Sequence, residues 1–179
     1  MSSVVMANYA DIVDEIGRVG QLIDPESGDG FVRAIREANR IFVAGQGRSG
    51  LVGRAFAMRL MHLGFAAFAV GEVATPAIGG GDLLVAVSGS GATDTTRRQI
   101  EKSAGVGARV ALVTAKLEAP EGVLLVQLPI RGFGIRTRQH AGSLFEQSAL
   151  VLFDAIARTL QDALGLPDAT LDARHANLQ

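Results

Sequence analysis

From Val5 to Leu22 the apolar positions fall at helical spacing. Tyr9, Ile12, Val13, Ile16, Val19 and Ile23 recur three or four residues apart, which predicts an amphipathic helix. Asp24-Pro25 then sets a capping acid before a proline suited to a first helical turn, so a second helix is expected over about 25–38. Beyond it the pattern changes. Arg40 to Ala44, Phe65 to Val70, Leu83 to Val87, Arg109 to Val113 and Val123 to Leu128 are short apolar runs that read as strands. Helical patterns at 51–63 and about 94–104 lie between them. Runs without in–out alternation, separated by helices, indicate parallel strands covered on both faces. The expectation is a single α/β domain over residues 1–179. Its architecture would be a three-layer αβα sandwich around a five-stranded parallel sheet, with no internal linker.

Leu144 to Leu164 reads as one long helix whose apolar positions run nearly all the way round. Such a helix is buried on two sides, so a subunit interface is expected there. Gly165-Leu166-Pro167 ends it. A short tail helix follows, closing on Arg174-His175-Ala176-Asn177-Leu178-Gln179, and Leu171 and Leu178 suggest that the tail docks.

Composition narrows the function. Of 179 residues, 48% are hydrophobic and 20% charged, enough for a packed core. The net charge of −1 weighs against nucleic acid as a partner. With no Cys, disulfides and thiolate chemistry are excluded. No apolar run approaches about 18 residues, so no membrane span is expected. The first residues lack a secretory pattern, and a cytoplasmic protein is the default. Aromatics are scarce and Gly numbers 22, which favours tight turns over an aromatic groove.

Two turns carry the candidate chemistry. Gly45-Gln46-Gly47-Arg48-Ser49-Gly50 follows a strand, precedes a helix and has Glu72 downstream, matching the dinucleotide fingerprint. Its physics is an anion held by backbone N–H groups at a helix N-terminus, and a plain tight turn is the other reading. Ser88-Gly89-Ser90-Gly91-Ala92-Thr93 is the second turn. Ser88, Ser90 and Thr93 can converge on one anion while Gly89 and Gly91 let the backbone fold round it, or one of them can cap the next helix. Neither turn holds G-K-[ST], so neither is a Walker loop.

Glu146 stands among apolar neighbours. A carboxylate there loses hydration and holds a proton more readily, as a general base near neutral pH must. Alternatively, Ser143 and Glu146 form a capping box. His62, beside Met61 and Leu63, reads as a packed structural histidine. His140 lies in the run Arg136-Thr137-Arg138-Gln139-His140, either a solvated loop or the lining of an anionic pocket. His175 sits in the tail. No two histidines have metal-ligand spacing, so neither metal nor cofactor is expected. Lys102 reads as exposed, and Lys116 as a weak Schiff-base candidate.

Six segments together resemble 6-phospho-3-hexuloisomerase, a small sugar-isomerase (SIS) domain family. They are Gly45-x-Gly-Arg-Ser-Gly, Ala57-Met58-Arg59-Leu60-Met61-His62-Leu63-Gly64-Phe65, Val70-Gly71-Glu72-x-x-Thr75-Pro76, Ser88-Gly-Ser-Gly-x-Thr93, Gly142-Ser143-Leu144-Phe145-Glu146-Gln147 and Arg174-His175-x-Asn177-Leu178. The resemblance runs nearly end to end. It implies a flavodoxin-like SIS fold and a homotetramer whose pockets are shared between subunits. It also implies interconversion of D-arabino-hex-3-ulose 6-phosphate and fructose 6-phosphate, in the ribulose monophosphate route of formaldehyde fixation, in association with hexulose-6-phosphate synthase. By that resemblance Ser88, Ser90, Gly91 and Thr93 hold the phosphate, with Gly47, Arg48 and Ser49 facing them. Glu146 is the base and His175 enters a neighbour's pocket. One departure is His140-Ala141, where relatives commonly carry Pro-Met. Arg48 and His175 are the candidates to stabilise an enediolate oxygen. The rival readings are a non-catalytic sugar-phosphate-sensing module and a nucleotide-binding oxidoreductase domain.

Overall fold

The computed structural model describes residues 3–130, 132–140 and 142–177. The expectations placed on Ala141 and Leu178 therefore lie outside the described residues. In chain order the elements are α1 (Val4–Gly20), α2 (Pro25–Arg36), β1 (Ile41–Gly45), α3 (Gly47–His62), β2 (Ala67–Ala69), β3 (Leu83–Val87), α4 (Asp94–Gly105), β4 (Arg109–Thr114), β5 (Leu124–Gln127), α5 (Ser143–Leu164) and α6 (Asp168–Asp172).

The five strands form one parallel sheet in the order β2-β1-β3-β4-β5, the flavodoxin-like order. Successive residues point to opposite faces, and both faces are buried. Ile41, Val43, Leu83, Val85, Val87, Ala111 and Val113 meet residues from α1, α2, α3 and α5. Phe42, Ala44, Leu84, Ala86, Val110 and Leu112 meet Ile100 of α4. The larger core centres on Phe31, Phe56 and Phe153, the last two rings stacked at 4.2 Å. The layers are therefore unequal: among the described residues, α1, α2, α3, α5 and α6 supply the larger core and α4 the smaller.

The second strand is shorter than its apolar run suggests. Only 67–69 pair with β1, while the Phe65 N–H donates to the Leu60 carbonyl and closes α3. α5 ends as expected at Gly165, whose φ of +63° lets the chain turn out of the helix. Its outer surface leaves Leu150 and Val151 exposed, as are Met6, Tyr9 and Val13 of α1. The tail folds back: Leu171 enters the large core, and Arg174 donates to the His62 carbonyl at 2.8 Å.

Candidate active site

In this strand order the chain leaves β1 toward one side and β3 toward the other. That divergence opens a crevice at the carboxyl ends of the two strands, where open α/β sheets hold ligands. A cavity of about 380 Å³ lies there. It is lined by Gln46, Ser49, Ser88, Gly89, Ser90, Thr93, Thr137, Gly142, Phe145 and Glu146, among others. Of the residues expected from sequence, Ser49, Ser88, Ser90, Thr93 and Glu146 come together in it.

Gly45–Gly50 is less a loop than a strand passing almost directly into a helix. Gly47, at φ +56°, is already the first residue of α3. A Cβ on Gly50 would stand 2.6 Å from the Gly45 carbonyl oxygen, so the close approach needs glycine. Glu72, the acid that completes the dinucleotide pattern, is exposed and ion-paired with Arg54 at 3.2 Å.

The second turn curls back on itself, the Gly91 N–H donating to the Ser88 carbonyl at 3.0 Å. Gly91 has φ +58° and packs against the Lys116 side chain. The Ser88 and Thr93 hydroxyls face each other at 3.4 Å. Ser90 Oγ accepts from the Ala92 N–H at 3.2 Å. Thr93 occupies the N-cap position of α4 yet makes no side-chain capping bond, so helix capping does not account for its hydroxyl.

The same holds across the cavity. The N-cap residues of α3, α4 and α5 are Gln46, Thr93 and Gly142, all three lining residues, and none makes a side-chain capping bond. Away from the cavity, α1 and α2 are capped by Ser3 and Asp24, while the five-residue α6, which follows Pro167, has no side-chain cap. Three helix N-termini with unsatisfied N–H groups thus meet at one space, together with the hydroxyls of β3–α4. Unpaired donors and aligned helix dipoles both favour an anion.

Glu146 lies in the first turn of α5 with its side chain 14% exposed. The capping box is absent: Gly142 is the N-cap, and Ser143 instead faces Arg48, whose Nη1 donates to its hydroxyl at 3.4 Å. Arg48 Nε holds the Glu146 carboxylate at 2.9 Å. A guanidinium has five donors, so Arg48 can orient the carboxylate and still offer N–H groups to a ligand. Sequence reasoning assigned both residues to the site without pairing them.

His175 is not at this cavity. Its ring lies 4.1 Å, centroid to centroid, from that of His62, the last residue of α3, whereas Ser49 lies in the first turn of the same helix. Over a helix of 16 residues, rising about 1.5 Å each, the two ends stand about 20 Å apart. His62 is buried as expected. Its pKa is lowered, first by burial and then by the neighbouring His175 and Arg59. The 136–140 run is mostly exposed, and its Arg138 pairs with Asp11 at 3.6 Å, as a solvated loop would. Only Thr137 of that run reaches the cavity.

Comparison with known proteins fits this geometry to a class. The SIS domain model matches residues 34–121, which hold β1 through β4 and both glycine-rich turns. The chain is 39% identical to the 3-hexulose-6-phosphate isomerase of Mycobacterium gastri, over 96% of this chain and 90% of that protein. It is 37% identical to that of Bacillus subtilis, over 95% and 96%. A Methanococcus jannaschii protein, whose crystal structure was taken to imply 3-hexulose-6-phosphate isomerase function, superposes with a TM-score of 0.85. That pair shares 29% identity over 97% of this chain and 99% of the other. The chain belongs to the 3-hexulose-6-phosphate isomerase family of SIS-domain proteins.

Proposed function

We propose that this protein interconverts D-arabino-hex-3-ulose 6-phosphate and D-fructose 6-phosphate through a 2,3-enediol. The observation that carries the reading is the single cavity that joins Ser88, Ser90, Thr93 and Ser49 to Glu146 beneath three uncapped helix N-termini. A phosphate dianion suits the hydroxyls and free N–H groups. A carboxylate lining the same space suits the adjoining carbon chain.

In the chemistry we propose, Glu146 takes the proton from C2 and the C2–H electron pair forms the C2–C3 double bond, while the C3 carbonyl oxygen gains charge. A proton then passes from the C2 hydroxyl to the C3 oxygen, and return of the first proton from Glu146 to C3, with the carbonyl re-formed at C2, completes the isomerisation without net redox. General base action of this kind is worth about 10²–10⁴-fold. Holding the phosphate fixes the carbon chain against the base, and Arg48, already seated on Glu146, is suited to the developing oxyanion. His175 supplies a further donor from a neighbouring copy. That is supported by its exposure and by its distance from the cavity of its own chain. A homotetramer with shared sites is supported by the apolar side chains exposed on α1 and α5. The enzyme works in the cytoplasm, on the product of hexulose-6-phosphate synthase.

The test is a coupled assay that reports fructose 6-phosphate, fed with hexulose phosphate made from formaldehyde and ribulose 5-phosphate. Product formation that depends on this protein is expected. Phosphosugar binding without turnover would instead identify a sensing module.

A further inference from the structure

Glu15 is a buried acid, 5% exposed, that the proposed chemistry leaves without a task. It projects from α1 and accepts three hydrogen bonds from one short stretch of chain. The Thr137 hydroxyl donates at 2.7 Å, the Gln139 side-chain amide at 2.8 Å and the Arg138 backbone N–H at 3.3 Å. Burial by itself works against its ionisation. The bonds from Gln139, Thr137 and Arg138, with the charge of Arg18, outweigh that and hold its pKa below the ordinary 4.5.

Among the described residues, the stretch it grips makes few other side-chain bonds. The Gln139 N–H turns back to Thr137 Oγ1 at 3.0 Å, and Arg138 reaches the exposed Asp11 at 3.6 Å. Upstream lie Gly132 and Gly134, both at positive φ. Thr137 borders the cavity. Downstream, the Ser143 N–H donates to the His140 carbonyl at 3.1 Å and the Glu146 N–H to the Gly142 carbonyl at 3.0 Å. The stretch that Glu15 holds is thereby tied, through the His140 carbonyl, to the first turn of α5, which carries both Ser143 and Glu146. The phosphate turn, by contrast, hangs from β3 and α4, with the Phe145 ring lying against Gly89.

We propose that Glu15 is a positioning residue of the active site: by clamping 137–139 onto α1 it sets where the first turn of α5 presents Glu146 to the phosphate-binding turn. The proposal rests on the function proposed above. It predicts a defect in turnover much larger than any defect in phosphate binding, because the Ser88, Ser90 and Thr93 hydroxyls hang from β3–α4 while α5 adds to the phosphate site its N-terminus and the Phe145 ring against Gly89.

The experiment compares Glu15→Gln with the wild-type protein. The amide keeps the size of the side chain but turns one acceptor into a donor facing the Thr137 and Gln139 donors. The expected result is a fall in kcat of about tenfold or more, since a misplacement near 1 Å can cost as much as about 10²-fold. Inorganic phosphate should bind within about twofold of wild type, and exchange of the Arg138 and Gln139 amide protons should accelerate. The double variant Glu15→Gln/Gln139→Glu restores a donor–acceptor pair and should recover most of the lost kcat. Unchanged kcat in Glu15→Gln would overturn the proposal, as would kcat and phosphate affinity falling together. Should Glu15→Gln not fold, Thr137→Val and Gln139→Ala remove the donors from the loop side and are judged by the same criteria. A wild-type protein without isomerase activity would refute the function instead. Amide exchange at Arg138 and Gln139 would then decide the clamp alone, acceleration supporting it and unchanged exchange overturning it.

Discussion

Replacing Glu146 with Gln separates chemistry from binding and from folding. The amide has the shape of the carboxylate but cannot accept a proton from carbon, so the base contribution is lost. That contribution, about 10²–10⁴-fold, corresponds to about 3–5 kcal/mol of barrier at about 1.36 kcal/mol per tenfold. The structural cost is smaller. The ion pair broken is the one to Arg48, whose side chain is 61% exposed, and such pairs are worth about 0–1 kcal/mol. For a chain of this length each kcal/mol moves Tm by about 2–4 °C, so the variant stays folded at assay temperature. The hydroxyls of the phosphate turn are untouched, since Ser88, Ser90 and Thr93 lie in the β3–α4 connection. The coupled assay should therefore show kcat reduced at least about 100-fold while titration with fructose 6-phosphate gives near wild-type affinity. Turnover within about tenfold of wild type would remove Glu146 from the proton transfer. Loss of binding in step with loss of turnover would mean that Arg48 and Glu146 serve the ligand's grip rather than its chemistry.

Ser90→Ala and Ser88→Ala should mainly raise KM, each by about tenfold for one lost charge-assisted bond, and steady-state kinetics with unchanged KM would contradict the phosphate assignment. His175→Ala and Glu146→Gln, each inactive alone, should regain activity when co-expressed if the histidine comes from a neighbouring subunit; mixed oligomers without activity would place that donor elsewhere. Asp82 is buried, and its pKa is held below 3.8, chiefly by the hydrogen bonds from Arg40, with the Gly79 N–H adding to them against the opposing effect of burial. Its folded pKa being the lower one, its stabilisation is present above the unfolded value near 3.8 and is lost as pH falls through the folded value. Denaturation across pH should therefore show Asp82→Asn less stable by about 1–3 kcal/mol at neutral pH, with the deficit shrinking in acid; a deficit that persists in acid would assign the effect to packing.

What could be read from the sequence is what short range decides. Continuous apolar runs such as Leu83 to Val87 specify strands buried on both faces, because no other element hides five consecutive apolar side chains so simply. The hydroxyl density of Ser88 to Thr93 singles out the turn that lines the cavity, because capping would use one hydroxyl at most, and in the structure Thr93 does not cap α4. Local pattern misjudged Phe65, which is apolar yet serves to close α3 rather than to extend β2. It also offered a capping box for Ser143 and Glu146, since the spacing fits, although the Ser143 hydroxyl is taken up by Arg48. The partners that complete the site could not be read at all. Arg48 and Ser143 are 95 residues apart, and Glu15 and Gln139 are 124. Those pairs exist only because the order β2-β1-β3-β4-β5 brings the start of α3, the start of α5 and the inner face of α1 to one end of the sheet. His175 shows the same limit from the other side. The family resemblance assigned it to a pocket, but in its own chain the tail docks it at the far end of α3, against His62. Residue types thus declare the chemistry, and strand order decides which of them meet.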